Sequence, residues 1–468
     1  MPLIEPVELC PPAELGGVHF IALGGSGMSG VAALYTQLGL SVSGSDKSDS
    51  PVLGELRALG VTAFVGHDPA QLGDAATVVT SSAIRADNPE LLAAQERGLR
   101  VWHRSAALGA LMLGRAGVAV SGTHGKTTTS AMTASMLAAC GADPGYVVGS
   151  PLADTGVSYH LGAGDVFVVE ADESDGSMRQ YPAQVVVVTN VEADHLDNWL
   201  TAAAYARGML QFATGPSVKV AVVCGDDQGA RALIEPVRAA GVRVVVVGEC
   251  EDADIRLVDV RTEKSRTRAR LVADGDAGEL RLAVPGRHNL LNAAAAYAVG
   301  REFGLSGPGL REAAAAFTGT SRRFETVAEV FGVRIVDDYA HHPTELVATL
   351  TAARELAGGR VIACFQPHLY TRTLAWADEF GAALALADEA VVLDVYAARE
   401  DPIPGVTGEL VAKAAEASMP GRVRYIPSYD DAPAALAASA RPGDLVLTIG
   451  AGDVTRLGPR LAALLEQR

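Results

Sequence analysis

Residues 117–130 read GVAVSGTHGKTTTS, and this stretch decides the fold. A short apolar strand, VAV, runs into Gly122, Thr123, His124, Gly125, Lys126 and Thr127, and a helical pattern follows. In such a turn glycines expose main-chain N–H groups to phosphates. A lysine reaches the β- and γ-phosphates, and a threonine hydroxyl suits Mg²⁺. The Walker A pattern requires a glycine five residues before that of the Gly-Lys pair. Val120 stands there, so this is a shorter loop with the same chemistry. The alternative is a Gly/Thr-rich turn that only opens a helix. The run from strand through glycine and Gly-Lys-Thr into a helix favours phosphate binding, and a P-loop ATPase-like block is expected.

Downstream, DVFVVEAD, AQVVVVTNV, VKVAVVCGD and VRVVVVGE are near-continuous valine runs. Strands buried on both faces of a parallel sheet read this way. Such strands present their C-terminal ends to one crevice. Glu170 ends one run, with Asp172, Glu173 and Asp175 after it, and His195 follows another. A magnesium site needs hard oxygen ligands. Each carboxylate alone is more often a turn or cap residue, and a lone histidine is more often structural. Three strand ends carrying Lys-Thr, Glu and His in one block point to a metal–nucleotide crevice. Between about residues 253 and 284 shorter alternating runs with charges predict a small antiparallel patch. The helical run HNLLNAAAAYAVGREFG follows. Asn289 and Asn292 on it suit a nucleobase edge; Asn289 equally suits a helix cap.

Upstream, VHFIAL leads into Gly25, Ser26, Gly27, Met28, Ser29 and Gly30, a G-x-G-x-x-G turn opening a helix. Asp46 lies about twenty residues on, at the end of the next strand candidate. This is the dinucleotide-binding context, and its direct reading is an NAD-dependent dehydrogenase. The physics is broader: the turn suits any pyrophosphate, including that of a UDP-sugar. The other candidates, LSVSGSD, VTAFVG and ATVVTSSA, complete a parallel sheet. A third block begins near Ser321 with strand candidates VRIVDDY, RVIACFQ, EAVVLDVY, VRYIPS and DLVLTIG. Arg323, at the junction, suits a γ-phosphate clamp; its plain alternative is a surface ion pair. His341 and His342 follow Asp337 and Asp338, and His368 with Arg372 ends another strand, a pairing suited to a carboxylate-bearing substrate.

With 468 residues the chain suggests about three domains. The reading is α/β throughout: a Rossmann-like domain over 1–114, a central ATP-binding domain over 115–320 and a Rossmann-like domain over 321–468. The formal net charge of -17 argues against nucleic acid as a partner. Five unpatterned cysteines argue against a zinc site or a disulfide framework and read as small buried hydrophobes. There is no basic start followed by an apolar run, and no run approaches the ~18 residues that span a membrane. A cytoplasmic protein without membrane insertion, monomeric or homodimeric, is expected.

Taken in order, GGSGMSG, SGSD, SSAI, GTHGKTTT, EADESDGS, NVEADHLD, GRHNLLNA, RRFE, DDYAHHPTE, QPHLYTRT and IGAGD resemble the Mur ligases, which build the peptide stem of the bacterial cell wall. The resemblance covers nearly the whole chain. GGSGMSG with DDYAHHPTE is similar to the branch that adds L-alanine to UDP-N-acetylmuramate. A branch that recycles murein tripeptides stands second.

The resemblance implies site roles. The UDP-sugar falls to Gly25, Ser26, Gly27, Met28, Ser29, Asp46, His67, Ser81, Ser82 and Ala83, which sets NAD aside. ATP falls to Gly122, Thr123, His124, Gly125, Lys126, Thr127, Thr128, Asn289, Asn292, Arg323 and Asp338. Two magnesium ions fall to Thr127, Glu170 and His195, and the amino acid to His341, His368 and Arg372. Lys126, Glu170, His195 and Arg323 form the catalytic set. The implied reaction activates the sugar's carboxylate as an acyl phosphate, which the amine then attacks. Two positions depart from the family's pattern. Several Mur ligases carry a carbamylated lysine where Leu210 stands, so none is expected. Many alanine-adding members have arginine where Leu369 stands, so one contact to the amino-acid carboxylate is either missing or supplied by Arg372 alone.

Overall fold

The computed structural model describes residues 3–263, 266–398 and 400–468, with Ser26 and Glu263 as main chain only. The chain forms three sheets in sequence order. The first holds β1 (Val18–Ile21), β2 (Val42–Asp46), β3 (Thr62–Val65), β4 (Thr77–Thr80) and β5 (Arg100–His103). Their order is β3-β2-β1-β4-β5 and every pairing is parallel. All four residues of β1 are buried, as a central strand covered on both faces requires. Its last residue runs into the helix Ser26–Gln37, so the glycine turn sits at the sheet's carboxyl edge.

The second sheet comprises β6 (Ala116–Ser121), β7 (Gly145–Val147), β8 (Tyr159–His160), β9 (Val166–Glu170), β10 (Ala183–Val188), β11 (Val220–Cys224), β12 (Arg243–Gly248), β13 (Ile255–Glu263), β14 (Arg266–Ala273) and β15 (Asp276–Leu282). Its order is β15-β14-β13-β12-β11-β10-β6-β9-β7-β8. From β12 to β7 the pairing is parallel. Asp274 and Gly275 join β14 to β15, and Gly275 has φ +68°. A two-residue turn links antiparallel neighbours, so the alternating run does form a hairpin. β6 lies between β9 and β10, with Val120 opposite Glu170 and Ser121 opposite Val188. This puts the phosphate-loop strand between the strands that carry Glu170 and the Thr189-Asn190 pair.

The third sheet holds β16 (Glu325–Val330), β17 (Val333–Asp338), β18 (Val361–Phe365), β19 (Glu389–Val392), β20 (Val423–Tyr425) and β21 (Leu445–Ile449), in the order β16-β17-β21-β18-β19-β20. Only β16 runs antiparallel among these pairings, and the sequence reading had no strand there. Its residues are exposed or half-buried, the signature of an edge, and edges carry the weakest apolar pattern.

The chain folds as two compact units. One takes residues up to 259 with 269–280 and 291–317; the other takes 260–268, 281–290 and 318–468. In the first unit Phe20, Leu34, Val147, Phe167 and Val186 belong to one continuous core. In the second, alternate residues of β18 feed opposite faces: Val361, Ala363 and Phe365 on one, Ile362 and Cys364 on the other. The period of two thus builds a core on each side of the sheet. All five cysteines are free; Cys224 and Cys364 are buried, and burial pushes their thiols up to about 11 and about 12. No helix among the described residues is long and apolar enough to cross a membrane.

Candidate active site

The phosphate loop is shaped by backbone that only glycine supplies. Gly122 has φ +137°, and a Cβ there would lie 2.1 Å from Thr189 Oγ1. Gly125 has φ +80° and leaves room for Asn292, whose Oδ1 lies 2.9 Å from where a Cβ would stand. The strand beside the loop fixes its shape. Asn190 Oδ1 accepts from the His124 amide at 2.8 Å, and Asn190 Nδ2 donates to the His124 carbonyl at 3.0 Å. Thr189 Oγ1 donates to that same carbonyl at 2.6 Å. Thr123 Oγ1 lies 2.9 Å from the buried Tyr205 hydroxyl. Thr127 and Thr128 open the helix Lys126–Ala139, with Thr127 buried.

Lys126 is held over this loop. Its Nζ donates to the carbonyls of Gly122 at 2.6 Å and Thr123 at 3.0 Å, and lies 2.8 Å from Glu173 Oε2. Burial alone would lower the pKa of the ammonium. The charge and hydrogen bond of Glu173, with Glu170 and Asp172 behind, outweigh it and hold the pKa above the ordinary lysine value. Glu173 is 1% exposed and also faces His195, whose Nε2 lies 3.5 Å from its Oε1. His195 itself has φ +53° and stands at the start of the short helix Leu196–Trp199. Trp199 Nε1 donates back to the Glu173 carbonyl at 2.9 Å. Glu170, at the end of β9, accepts from the Gly149 amide at 2.8 Å. The Thr127 hydroxyl and the Glu170 carboxylate are oxygen donors of the kind a hard divalent cation takes.

The acidic loop faces the first sheet as well. Arg104, just past β5, pairs with Asp172 at 2.9 Å. Burial pushes the Asp172 carboxyl up, but Arg104, the hydrogen bonds of Ser174 and Lys126 together outweigh it and hold it well below the usual carboxylate range. Arg104 reaches this place because Gly27 has no side chain; a Cβ there would lie 2.3 Å from Nη1. Ser82 donates to Asp175 and also lies 3.2 Å from His103. Asp46 Oδ2 accepts from the Gly24 amide at 2.9 Å, which closes the first glycine turn. Met28 is buried in the core, so only its main chain is available to a ligand. Gly25 is the N-cap of the helix Ser26–Gln37, Ser29 donates its amide to Gly25, and Ser81 and Ala83 follow β4. The side chain of Ser26 lies outside the described residues. His67 follows β3 and contacts Glu90 and Ser45.

In the second unit His341, His368 and Arg372 do come together. The His341 ring is 5.8 Å from that of His368, which stacks on Tyr396 at 6.0 Å. The Arg372 guanidinium lies over Trp376 at 5.4 Å. Burial pushes His341 down to about 3 against the pull of Glu345, with Arg372 and His368 adding to the effect. Arg323 lies over Tyr339 at 5.1 Å and 3.9 Å from Glu345. Asp338 accepts from the amides of Phe324 and Ala340 and from Thr349 Oγ1, so its carboxylate shapes the Arg323 turn. Burial raises its pKa, opposed by Arg323. Asn289 Nδ2 donates to the Pro285 carbonyl at 2.6 Å, within the turn that starts the helix Arg287–Glu302. Leu369 adopts φ +68° at the start of the helix Tyr370–Leu384, a strained conformation beside His368.

Glu173, Asn190, Thr189 and Arg104 had no site role in the sequence reading. Thr189 and Asn190 were visible as polar residues ending a valine run beside the loop strand. Arg104 carries no local signal, because its contacts come from other elements.

Three Mur ligase domains match the chain: the family's catalytic domain over 17–116, its middle domain over 120–300 and its glutamate ligase domain over 322–452. The UDP-N-acetylmuramate–L-alanine ligase of Cutibacterium acnes is 60% identical over 469 residues, covering 100% of this chain and 99% of the relative. That of Kineococcus radiotolerans is 55% identical, covering 97% and 98%. Among solved structures, the UDP-N-acetylmuramate–alanine ligase of Thermotoga maritima superposes with a TM-score of 0.81 at 27% identity, covering 96% of this chain and 98% of that one. A murein peptide ligase of Psychrobacter arcticus gives 0.71 at 25%, covering 97% and 99%. On its three domain matches and these full-length likenesses, the chain belongs to the Mur ligase family.

Proposed function

We propose that the protein joins L-alanine to the lactyl carboxylate of UDP-N-acetylmuramate with cleavage of ATP to ADP and phosphate, in the cytoplasm, as a step in making peptidoglycan precursor. The observation that carries this reading is the loop in which Lys126, held by Glu173, lies over Gly122 and Thr123. The full-length likeness to L-alanine-adding ligases supports the choice of substrates. The domain limits 1–114, 115–320 and 321–468 belong to the same proposal, supported by the spans of the three family matches.

In the first step a carboxylate oxygen of the sugar attacks the γ-phosphorus. The bond from phosphorus to the bridging oxygen breaks, ADP leaves, and an acyl phosphate results. The amine of L-alanine then attacks the acyl carbon, loses a proton, and expels phosphate. Lys126 neutralises charge on the transferring phosphoryl group, and Arg323 is assigned to the same task. The glycine amides of the loop cradle the phosphates, and Asn289 and Asn292 are assigned to adenine. Thr127, Glu170 and His195 would hold magnesium, which when bound supplies further positive charge at the phosphate oxygens. His341, His368 and Arg372 are assigned to the amino acid, which a cationic arginine would hold by its carboxylate.

The test is phosphate release from Mg-ATP and UDP-N-acetylmuramate with L-alanine, glycine, L-serine or the tripeptide L-Ala-γ-D-Glu-meso-diaminopimelate in turn. Release that needs both the UDP-sugar and L-alanine is the expected outcome. Release with the tripeptide alone would move the protein to the recycling branch.

A further inference from the structure

The first sheet encloses a buried carboxylate that the reaction itself does not use. Glu90, in the first turn of the helix Pro89–Glu96, is 0% exposed. Its Oε2 accepts from Ser45 Oγ at 2.5 Å and faces His67 Nδ1 at 2.9 Å. Its Oε1 lies 3.3 Å from His19 Nε2 and 2.9 Å from the Gln71 amide nitrogen when that amide is oriented to donate. His19, Ser45 and Glu90 are wholly enclosed, whereas the His67 side chain is 21% exposed. A buried carboxylate is costly unless each oxygen is met by donors. Burial here pushes Glu90 up, but His19, Ser45 and His67 prevail, and its pKa falls below the ordinary value. The group is therefore an anion at neutral pH.

That anion settles the tautomer of His67. A carboxylate only accepts, and Ser45 already gives it its hydroxyl proton. Nδ1 of His67 must therefore carry a hydrogen, and in the neutral ring Nε2 is an acceptor. His67 also stands at a particular place. It follows β3, the strand outside β2, and the Gly66 amide donates to the Asp46 carbonyl at 2.7 Å. In a sheet of this kind a pyrophosphate sits at the turn after β1 and the ribose at the end of β2. The end of β3 then falls beside the nucleoside.

We propose that Glu90 is a positioning residue, which fixes the His67 imidazole with Nδ1–H turned inward and Nε2 presented to a hydrogen-bond donor on the uridine half of the sugar nucleotide. This rests on the reading that the UDP-sugar lies over the first sheet. The network's one solvent-reaching member among these four residues stands where that ligand's nucleoside falls.

The experiment compares wild type with His67→Ala, Glu90→Gln and the double variant, in steady-state kinetics and in calorimetric titration with UDP alone. His67→Ala is expected to raise KM for UDP-N-acetylmuramate about tenfold, the scale of one lost hydrogen bond. KM for ATP and for L-alanine should stay put, and UDP should bind about tenfold more weakly. Glu90→Gln should shift KM in the same direction, and the double variant should be no worse than His67→Ala. If Glu90→Gln does not fold, Ser45→Ala replaces it, since it removes the hydroxyl between the two groups. Unchanged UDP affinity in His67→Ala, or a Glu90→Gln that loses only thermal stability, would overturn the proposal. If wild type binds UDP but releases no phosphate with L-alanine, the proposed reaction fails while this contact remains tested by the UDP titration.

Discussion

At the scale of the residue, Lys126 and Glu173 show how one pair serves stability and chemistry together. Glu173 is buried with Lys126 at 2.8 Å and His195 at 3.5 Å. Lys126→Met removes the ammonium and leaves a buried carboxylate short of its main partner. Two losses are expected: about 10²–10³-fold in kcat for phosphate release, and about 3 kcal/mol in urea unfolding. Lys126→Arg keeps a charge for Glu173. It should recover most of the stability but little of the activity, because a planar guanidinium does not place its charge where a point ammonium does. The lysine was legible in the sequence because Gly-Lys-Thr after a strand has few other uses. Its partner was not. Glu173 sits in a run of four acidic residues, and only the path of the loop shows which one meets Lys126.

At the scale of the element, the phosphate loop is a tight passage between β6 and the helix Lys126–Ala139. Gly122→Ala would place a methyl 2.1 Å from Thr189 Oγ1 at a φ of +137°. It is expected to cost about 2–4 kcal/mol and to abolish ATP binding, read by urea unfolding and by nucleotide titration. Gly54, exposed inside the helix Pro51–Ala58, has nothing within 4 Å of an added Cβ. Gly54→Ala should instead stabilise by about 0.5–1 kcal/mol. Elements themselves were largely legible. The valine runs became β9 to β12, and the alternating run became the hairpin of β14 and β15. The short strands β5, β7, β8 and β16 were missed, since runs of two to six residues carry little pattern.

At the scale of the whole molecule, the response to acid follows the burial of histidines within each compact unit. The second holds His341 and His288, pushed down to about 3 and about 4 by burial. A histidine with a depressed folded pKa stays neutral in the native state while the unfolded chain takes up a proton. Its contribution is fully present above about pH 6.5 and is lost as pH falls toward those values. Between about pH 6.5 and pH 4 the second unit should lose about 1–3 kcal/mol per pH unit. Hydrogen exchange followed by mass spectrometry across 318–468 would register the loss, and His288→Gln should flatten it.

Local patterns in the chain specify the class of fold, the order of the three sheets and the phosphate loop. Valine runs, glycine turns and a Gly-Lys-Thr step are local patterns, and local patterns act through backbone geometry and period. Tertiary structure alone decided which polar groups serve each other. Arg104 reaches Asp172 past Gly27, Asn190 shapes the His124 peptide, and Glu90 meets His67. These pairs lie 23 to 68 residues apart in the chain. Their strength comes from burial, and burial exists only once the sheets and helices have closed around them.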